Sequence, residues 1–206
     1  MNELKNPKFA IPMVLLAGIF WSFGPYIVRN INDAHTVPWQ YLFTRGLVIF
    51  ALLNVYLYLE EGLNFIFNYK KIGISGIVGG TGLALAMITF IWSITNTSAA
   101  ITLLCLAAMP FITALLGFLF LKETISTNVW ISIGIATAGI IIMALGNDEK
   151  NTFFGFILGL TSSIGFSVFS VSLRWRKETP KFTTVAVAGL ICFIVSLVVI
   201  ISKDIS

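Results

Sequence analysis

The chain of 206 residues is 57% hydrophobic and 11% charged, with a formal net charge of +4 at pH 7 and a mean hydropathy of +0.94. A typical soluble domain is about half apolar and about a quarter charged. Since a soluble fold of this length cannot cover so much apolar surface, the composition excludes an ordinary water-soluble domain. The charged residues lie mostly between apolar runs, so the positive balance is a topology signal and does not indicate a nucleic-acid partner.

Seven apolar runs are predicted as membrane spans, because about 20 residues of helix cross the roughly 30 Å of bilayer hydrocarbon. The predicted spans are Ala10–Val28, Trp39–Leu59, Ile72–Ile94, Ser98–Leu121, Val129–Leu145, Phe153–Leu173 and Phe182–Ile201. The first run is too long for a signal-peptide core and no small-x-small cleavage site follows it, so we expect an uncleaved span. The predicted fold class is all-α, a polytopic transmembrane helix bundle of about seven spans.

The basic residues predict the orientation of this bundle. If the N-terminus is cytoplasmic, nine Lys and Arg residues fall in inside segments: Lys5, Lys8, Lys70, Lys71, Lys122, Arg174, Arg176, Lys177 and Lys181. Three fall in outside segments: Arg29, Lys150 and Lys203. By the positive-inside rule we expect a multi-pass protein of the cell inner membrane with a cytoplasmic N-terminus.

The stretch Thr95–Ala144 holds two apolar runs joined by a polar turn, Lys122–Asn128, and the first run carries Pro110 near its middle. In a membrane bundle, neighbouring helices and Ser or Thr side chains can satisfy the backbone groups that a proline frees. This order of a hydroxyl-rich opening, a mid-span proline, a Lys-Glu turn and a Gly-rich closing span resembles the end of the first repeat of the EamA family, in the drug/metabolite transporter superfamily. The residues that carry the resemblance are Ala99, Ala100, Leu104, Pro110, Gly117, Glu123, Gly134 and Gly139.

Short internal matches predict a repeat of five spans. At an offset of 141 or 142 residues the matching pairs are Gly18 and Gly159, Ser22 and Ser163, Gly24 and Gly165, and Pro38 and Pro180. An odd number of spans inserts the second copy the other way up, which is the inverted-repeat arrangement of many secondary transporters. The predicted repeats are residues 10–146 and an incomplete second copy, residues 153–203.

The resemblance implies two five-span repeats and ten spans, so this chain departs from the family pattern by three spans. We favour a fragment of a ten-span protein. The alternative is a natural short form whose bundle is completed by a second copy or by another chain.

Arg45 is the one charged side chain that lies well inside a predicted span. Such residues face a cavity or a partner, or they reach the headgroups along their own length. Both roles stay open for Arg45, and the resemblance favours the cavity because an Arg at this place belongs to the family pattern. In that role its guanidinium attracts a carboxylate or another anionic group of the substrate.

The remaining substrate-cavity candidates are aromatic or polar residues in or near three of the spans: Trp21, Ser22, Tyr41, Trp92 and Asn96. Tyr41 lies one helical turn from Arg45 on the same face. Trp39 and Trp130 lie at span ends and are assigned to the interfacial aromatic belt, which is also an alternative for Trp92. A cavity of this character suits amino acids, nucleobases or amphipathic drugs.

Other residues are predicted to shape helix packing and movement. Three small-xxx-small pairs are expected to allow close helix approach: Gly76 and Gly80, Gly134 and Ala138, and Gly155 and Gly159. Pro25, Pro110 and Glu123 are candidates for a hinge or a gate. The alternative for Glu123 is a structural role at a helix end, paired with Lys122 or with a neighbouring loop.

Several functions are disfavoured by residues that the spans lack. All nine acidic residues lie in connections or at the termini, so no intramembrane carboxylate is available for a proton relay. No cluster of His, Asp or Cys predicts a catalytic centre, a metal site or a cofactor, and His35 is alone in a connection. Cys105 and Cys192 fall in apolar runs, where a thiol acts as a small hydrophobe.

We therefore expect a transporter, not an enzyme, that moves a small metabolite such as an amino acid across the membrane by alternating access. Its expected partners are the small-molecule substrate and the lipid bilayer. The alternative is a non-transporting membrane scaffold, or a fragment that works only with a partner.

Overall fold

The structure is a computed structural model that describes residues 11–13, 15–16, 18–20, 23–24, 28, 38–145 and 150–202. The regular secondary structure of this described part is entirely helical, which confirms the predicted all-α class. A shorter apolar helix, α1, lies within Ile11–Phe20. The longer elements are α2 (Pro38–Glu61), α3 (Phe65–Lys71), α4 (Gly73–Asn96), α5 (Ala99–Ala107), α6 (Met109–Leu121), α7 (Thr127–Leu145), α8 (Lys150–Trp175) and α9 (Lys181–Ser202).

Five segments are long and apolar enough to cross a membrane: Pro38–Lys71, Gly73–Asn96, Ala99–Leu121, Phe153–Trp175 and Lys181–Ser202. They match the predicted second, third, fourth, sixth and seventh spans. Helix α7 occupies the predicted fifth span with 19 residues. Of the predicted first span, Ala10–Val28, the structure describes residues 11–13, 15–16, 18–20, 23–24 and 28.

The side chains have the distribution expected of a bundle in lipid. Large apolar side chains face outward, for example Leu59 at 77% exposure and Phe120 at 74%, whereas Ser93 and Ser162 are fully buried. Lipid tails solvate apolar side chains as well as the bundle interior does, and polar groups must find partners inside. The burial is therefore that of a membrane protein.

Helix α4 lies at the centre and packs antiparallel to α8. A Cβ added to Gly155, near the start of α8, would meet Thr97, just after the end of α4, and one added to Gly79 would meet Ser172. Ser162 Oγ donates a hydrogen bond of 2.9 Å to the Ala86 carbonyl oxygen between these levels. The contact therefore runs along most of both helices.

Helix α9 packs parallel to α4 and antiparallel to α2. Cys192 Sγ lies 3.6 Å from the Leu42 carbonyl oxygen at one end of the α2–α9 pair, and the Tyr56 and Phe182 rings lie 5.3 Å apart at the other. We call the end where α2 begins and α4 ends the site end. The opposite end, which carries Lys71 and Arg176, is called the basic end.

The predicted fourth span is interrupted at Ala108 and continues as a second helix, with Pro110 at its second residue. Proline lacks the N–H that an uninterrupted helix would require at this position. Ser163 Oγ of α8 donates to the Cys105 carbonyl oxygen, and Ser167 Oγ donates to the Met109 carbonyl oxygen at 3.1 Å. The expectation that a neighbouring helix satisfies this stretch of backbone is confirmed.

The double variant Ser163→Ala/Ser167→Ala is expected to lose about 1 kcal/mol of unfolding free energy, because interhelical hydrogen bonds in membranes contribute about 0.6–1.7 kcal/mol. Thr161→Val is the matched control, since Thr161 Oγ1 donates only to the Ile157 carbonyl of its own helix among the described residues. Detergent titration followed by circular dichroism measures both. Equal stability of the double variant and the control would contradict the assigned role.

Two of the three predicted small-residue pairs sit at helix contacts. Gly80 packs on Val187 of α9, and Gly159 packs on Cys105 and Ser93. A Cβ added to Gly134 would meet nothing within 4 Å, so the predicted close approach is wrong for α7 in the described structure. Gly134 and Ala138 have the same small-xxx-small spacing as the other two pairs, but no described helix packs against the Gly134 face of α7.

Candidate functional site

Two predicted cavity residues pack against one core cluster toward the site end. The described members of this cluster are Val28, Leu42, Leu83, Ala84, Met87, Phe90, Ile91, Ile94, Ala188 and Cys192. Tyr41 and Trp92 are half-buried and pack against it. Arg45 is half-buried one turn beyond Tyr41. The structure therefore brings Tyr41 of α2 and Trp92 of α4 to the same cluster, and their role in a cavity stays a prediction.

Arg45 makes no ion pair within the described part of the chain, where a carboxylate oxygen within 4 Å would count as one. The sequence explains this, because the spans contain no acidic residue. A half-buried guanidinium without a described counter-ion is a group that faces a cavity or reaches the headgroups along its own length.

Trp92 stands against Trp39, with ring centroids 5.5 Å apart and an interplanar angle of 57°. The interfacial belt alone does not describe Trp39, since its ring packs inside the bundle on α4. The Trp92 Nε1 atom is buried and has no hydrogen-bond partner among the described residues. Buried polar groups are nearly always paired, so this N–H needs a partner beyond the described residues.

Asn96 is half-buried at the end of α4, one turn beyond Trp92. Its Nδ2 donates to the Trp92 carbonyl oxygen at 2.7 Å. One donor of the amide therefore completes the helix end, and contact with substrate stays a prediction for this residue.

Two polar residues at the site end were missed by the sequence reasoning. Gln40 Oε1 is buried without a hydrogen-bond partner in the described structure, and Ser196 Oγ is buried beside the Cys192 thiol. Ser196 lies one turn beyond Cys192, which contacts Leu42, so it is level with the start of α2. Near a span end such residues look like ordinary interfacial polar groups, and only their burial distinguishes them.

At the basic end, Glu123 pairs with Arg174 and not with Lys122. Arg174 Nη1 lies 2.8 Å from Glu123 Oε2, and its Nη2 donates to the Thr113 carbonyl oxygen at 3.3 Å. Lys122 adopts a left-handed backbone conformation, with φ of 56°, and ends α6. The pair therefore joins the α6–α7 turn to the end of α8.

Gly117 gives this ion pair its space. A Cβ at Gly117 would collide with the Glu123 carboxylate and would lie 3.0 Å from Arg174 Nη2. The backbone N–H of Glu123 also donates to the Gly117 carbonyl oxygen, at 3.2 Å. Gly117 and Glu123, two of the residues that carry the family resemblance, therefore stabilise the same turn at the end of α6.

The remaining candidates divide between the described and undescribed parts. Trp21, Ser22 and Pro25 lie outside the described residues. Pro110 is exposed beside the helix interruption, as a hinge candidate would be. No group of three or more His, Cys, Asp or Glu residues that could hold a metal ion occurs within the described residues.

Comparison with known families resolves the class of protein. The EamA-like transporter family matches residues 8–145. The chain belongs to the EamA-like transporter family. This confirms the resemblance inferred from Pro110, Glu123 and the glycines of the predicted fourth and fifth spans. EamA-like proteins are membrane transporters and not enzymes, so the chain is a multi-pass membrane protein.

Two curated EamA-like relatives come from Helicobacter pylori, strains J99 and 26695, and each is named an uncharacterized transporter. Each is 27% identical to this chain over 173 residues, which cover 82% of this chain and 56% of the relative. The chain thus spans about half the length of the curated relatives that it matches. No solved structure matched the chain.

Proposed function

We propose that this EamA-like chain moves a small carboxylate-bearing metabolite, such as an amino acid or a related solute, across the inner membrane. The carrying observation is Arg45, a half-buried cation without a described counter-ion, one helical turn from Tyr41 on α2, while Tyr41 and Trp92 pack against the same core cluster. The guanidinium would bind the carboxylate, and the aromatic faces would cover the apolar part of the solute. The unpaired Trp92 N–H and Gln40 carbonyl are a donor and an acceptor for its polar groups.

Alternating access between inverted repeats is the proposed mechanism, with residues 10–146 and 153–203 as the repeats and the N-terminus in the cytoplasm. A reciprocal contact between α2 and α9 supports it. A Cβ at Gly46 would lie 2.6 Å from Phe193 N and 2.7 Å from Gly189 O. A Cβ at Gly189 would lie 3.0 Å from Gly46 O and 3.1 Å from Phe50 N.

The two sets of contacts are equivalent: adding 143 to the residue numbers converts position 46 into 189 and position 50 into 193. That shift is close to the offsets of 141 and 142 in the sequence matches. Reciprocal contacts are what a two-fold axis generates, and an axis relating antiparallel helices turns one copy upside down. The geometry at Gly46 and Gly189 therefore agrees with inverted repeats.

The proposed inner gate is the ion pair of Glu123 and Arg174. It would link the turn of the first repeat to the first helix of the second, so opening the basic end would break it. Both side chains are about 40% exposed, and exposed ion pairs contribute roughly 0–1 kcal/mol. A contact of that strength biases the closed state without locking it.

Glu123→Gln is expected to raise the open population at the basic end about two- to fivefold, as the loss of up to about 1 kcal/mol implies. Maleimide labelling of a cysteine introduced at Leu116, on the α6 face toward α8, measures opening. Lys122→Gln is the matched control and should label like the parent. The exchange Glu123→Arg/Arg174→Glu should restore slow labelling, and failure of that rescue would contradict the gate.

Solute flux tests transport itself. The purified 206-residue chain is reconstituted into tight vesicles and offered labelled amino acids, nucleobases and neutral amphipathic drugs. We expect saturable uptake of a carboxylate-bearing solute. A folded sample with no flux for the whole panel would favour the alternative, a membrane scaffold.

A further inference from the structure

A polar pocket of about 350 Å³ opens at the basic end, away from the candidate substrate site. Its lining residues are Lys71, Arg176, Lys177, Glu178 and Thr179. Three of the five are cations and one is an anion. None of the four charged side chains forms an ion pair with a described residue, so the pocket keeps a positive balance.

The backbone around the pocket is held in place by buried contacts. Thr179 is buried, and its hydroxyl oxygen lies 2.6 Å from that of Ser75 in α4. The N–H of Thr179 donates to the Arg176 carbonyl oxygen at 3.1 Å, which closes the turn that carries the basic residues. The positions of the cations therefore follow from the packing of α4 against the α8–α9 turn.

Arg176 lies directly over the start of α4. Its Nη1 atom is 3.4 Å from the position of a Cβ on Gly73, the first residue of that helix, which has a φ of +59°. Helix α9 begins two residues after Thr179 and runs parallel to α4, so two helix N-termini lie beside the pocket. The C-terminal ends of α3, at Lys71, and of α8, at Trp175, adjoin the same pocket, so the helix dipoles offset one another and the positive potential comes from the side chains.

An apolar groove of about 450 Å³ is lined by Trp175, the residue that precedes Arg176 of the polar pocket. It lies between α4, α6 and α8, with Val78, Leu116, Phe120 and Trp175 among its lining residues. Trp175, which lines the groove, ends α8, and Arg176, which lines the pocket, is the next residue in the chain. A ligand that spans both would have an anionic head and an apolar tail.

The geometry points to a binding site for one anionic phospholipid, with its phosphate among Lys71, Arg176 and Lys177 and an acyl chain in the adjoining groove. Clusters of basic residues at the cytoplasmic surface of membrane helices attract anionic lipids, at about 1 kcal/mol for each Lys or Arg. Arginine adds planar, bidentate recognition of phosphate oxygens. The apolar groove favours a lipid over a free anion. The site does not depend on what the protein transports.

Native mass spectrometry of the full chain, released from micelles that contain equal phosphatidylglycerol and phosphatidylcholine, tests this site. We expect one retained phosphatidylglycerol per chain and no retained phosphatidylcholine. Arg176→Gln/Lys177→Gln should weaken retention about tenfold or more, since two contacts are removed. Both residues are exposed, so unchanged circular dichroism in phosphatidylcholine is expected to verify folding.

Lys122→Gln is the matched control, because Lys122 is an exposed cation at the same end that does not line the pocket. Equal loss in this control would mean that surface charge alone retains the lipid, and would overturn the site. A competition experiment adds glycerol phosphate, which is water-soluble and has no acyl chain, to the same sample. Displacement of the lipid at equal concentration would assign the pocket to a free phosphate and overturn the lipid assignment, and no displacement supports it.

Discussion

Gly165→Ala is expected to lower the free energy of unfolding by about 1–3 kcal/mol, the usual effect of overpacking a tight contact. A Cβ at Gly165 would lie 2.5 Å from the Gly82 carbonyl oxygen and 3.0 Å from the Ala86 backbone N. Both obstacles are backbone atoms, so no rotamer change relieves them. Helices α4 and α8 would have to separate along the contact on which the bundle is centred.

Gly134→Ala is the matched control for this prediction. It makes the same change in a helix, but the added methyl group meets nothing within 4 Å. Alanine also has the higher helix propensity, so stability should stay the same or rise slightly. Detergent titration of both variants in one lipid mixture measures the difference. If Gly165→Ala were as stable as Gly134→Ala, the close antiparallel packing of α4 and α8 would be wrong.

Arg45→Ala is expected to reduce uptake of a carboxylate-bearing solute at least about tenfold, because one charge-assisted hydrogen bond contributes about 1.5–3 kcal/mol. Arg45→Lys should retain part of the uptake, since lysine keeps the charge but loses the bidentate fork. No described carboxylate pairs with Arg45, and in the proposed function the carboxylate of the solute is its counter-ion.

Initial uptake rates in vesicles, measured against solute concentration, test this role. A neutral amide analogue of the solute should respond little to either variant, which separates carboxylate recognition from a general defect. Thr44→Val is the matched control, since Thr44 is exposed and bonds to the Gln40 carbonyl of its own helix. If Arg45→Lys left both uptake and selectivity unchanged, the cavity role would be abandoned.

The helices themselves follow from the sequence, because the thickness of hydrocarbon sets how long an apolar run must be. The predicted span Ile72–Ile94 is observed as Gly73–Asn96, and Phe182–Ile201 as Lys181–Ser202. The family also follows from local sequence, since its proline, glutamate and glycines lie within one stretch of about 50 residues. Of the predicted cavity residues, Tyr41 and Trp92 pack on one core cluster, and the role of these residues and of Arg45 in a cavity stays a prediction.

The partners of these residues depend on helices far apart in the chain, which local periodicity does not encode. Glu123 was predicted to pair with Lys122 or with a neighbouring loop, but packing of α6 on α8 brings Arg174 to it across 51 positions. Gly134 and Gly165 occupy similar helical surroundings in sequence, yet only Gly165 faces another backbone. The sequence by itself determined which segments are helices and that they lie in a membrane, because both depend on composition and length. Only the tertiary structure decided which polar groups are paired, buried or left for a ligand, because that depends on which helices touch.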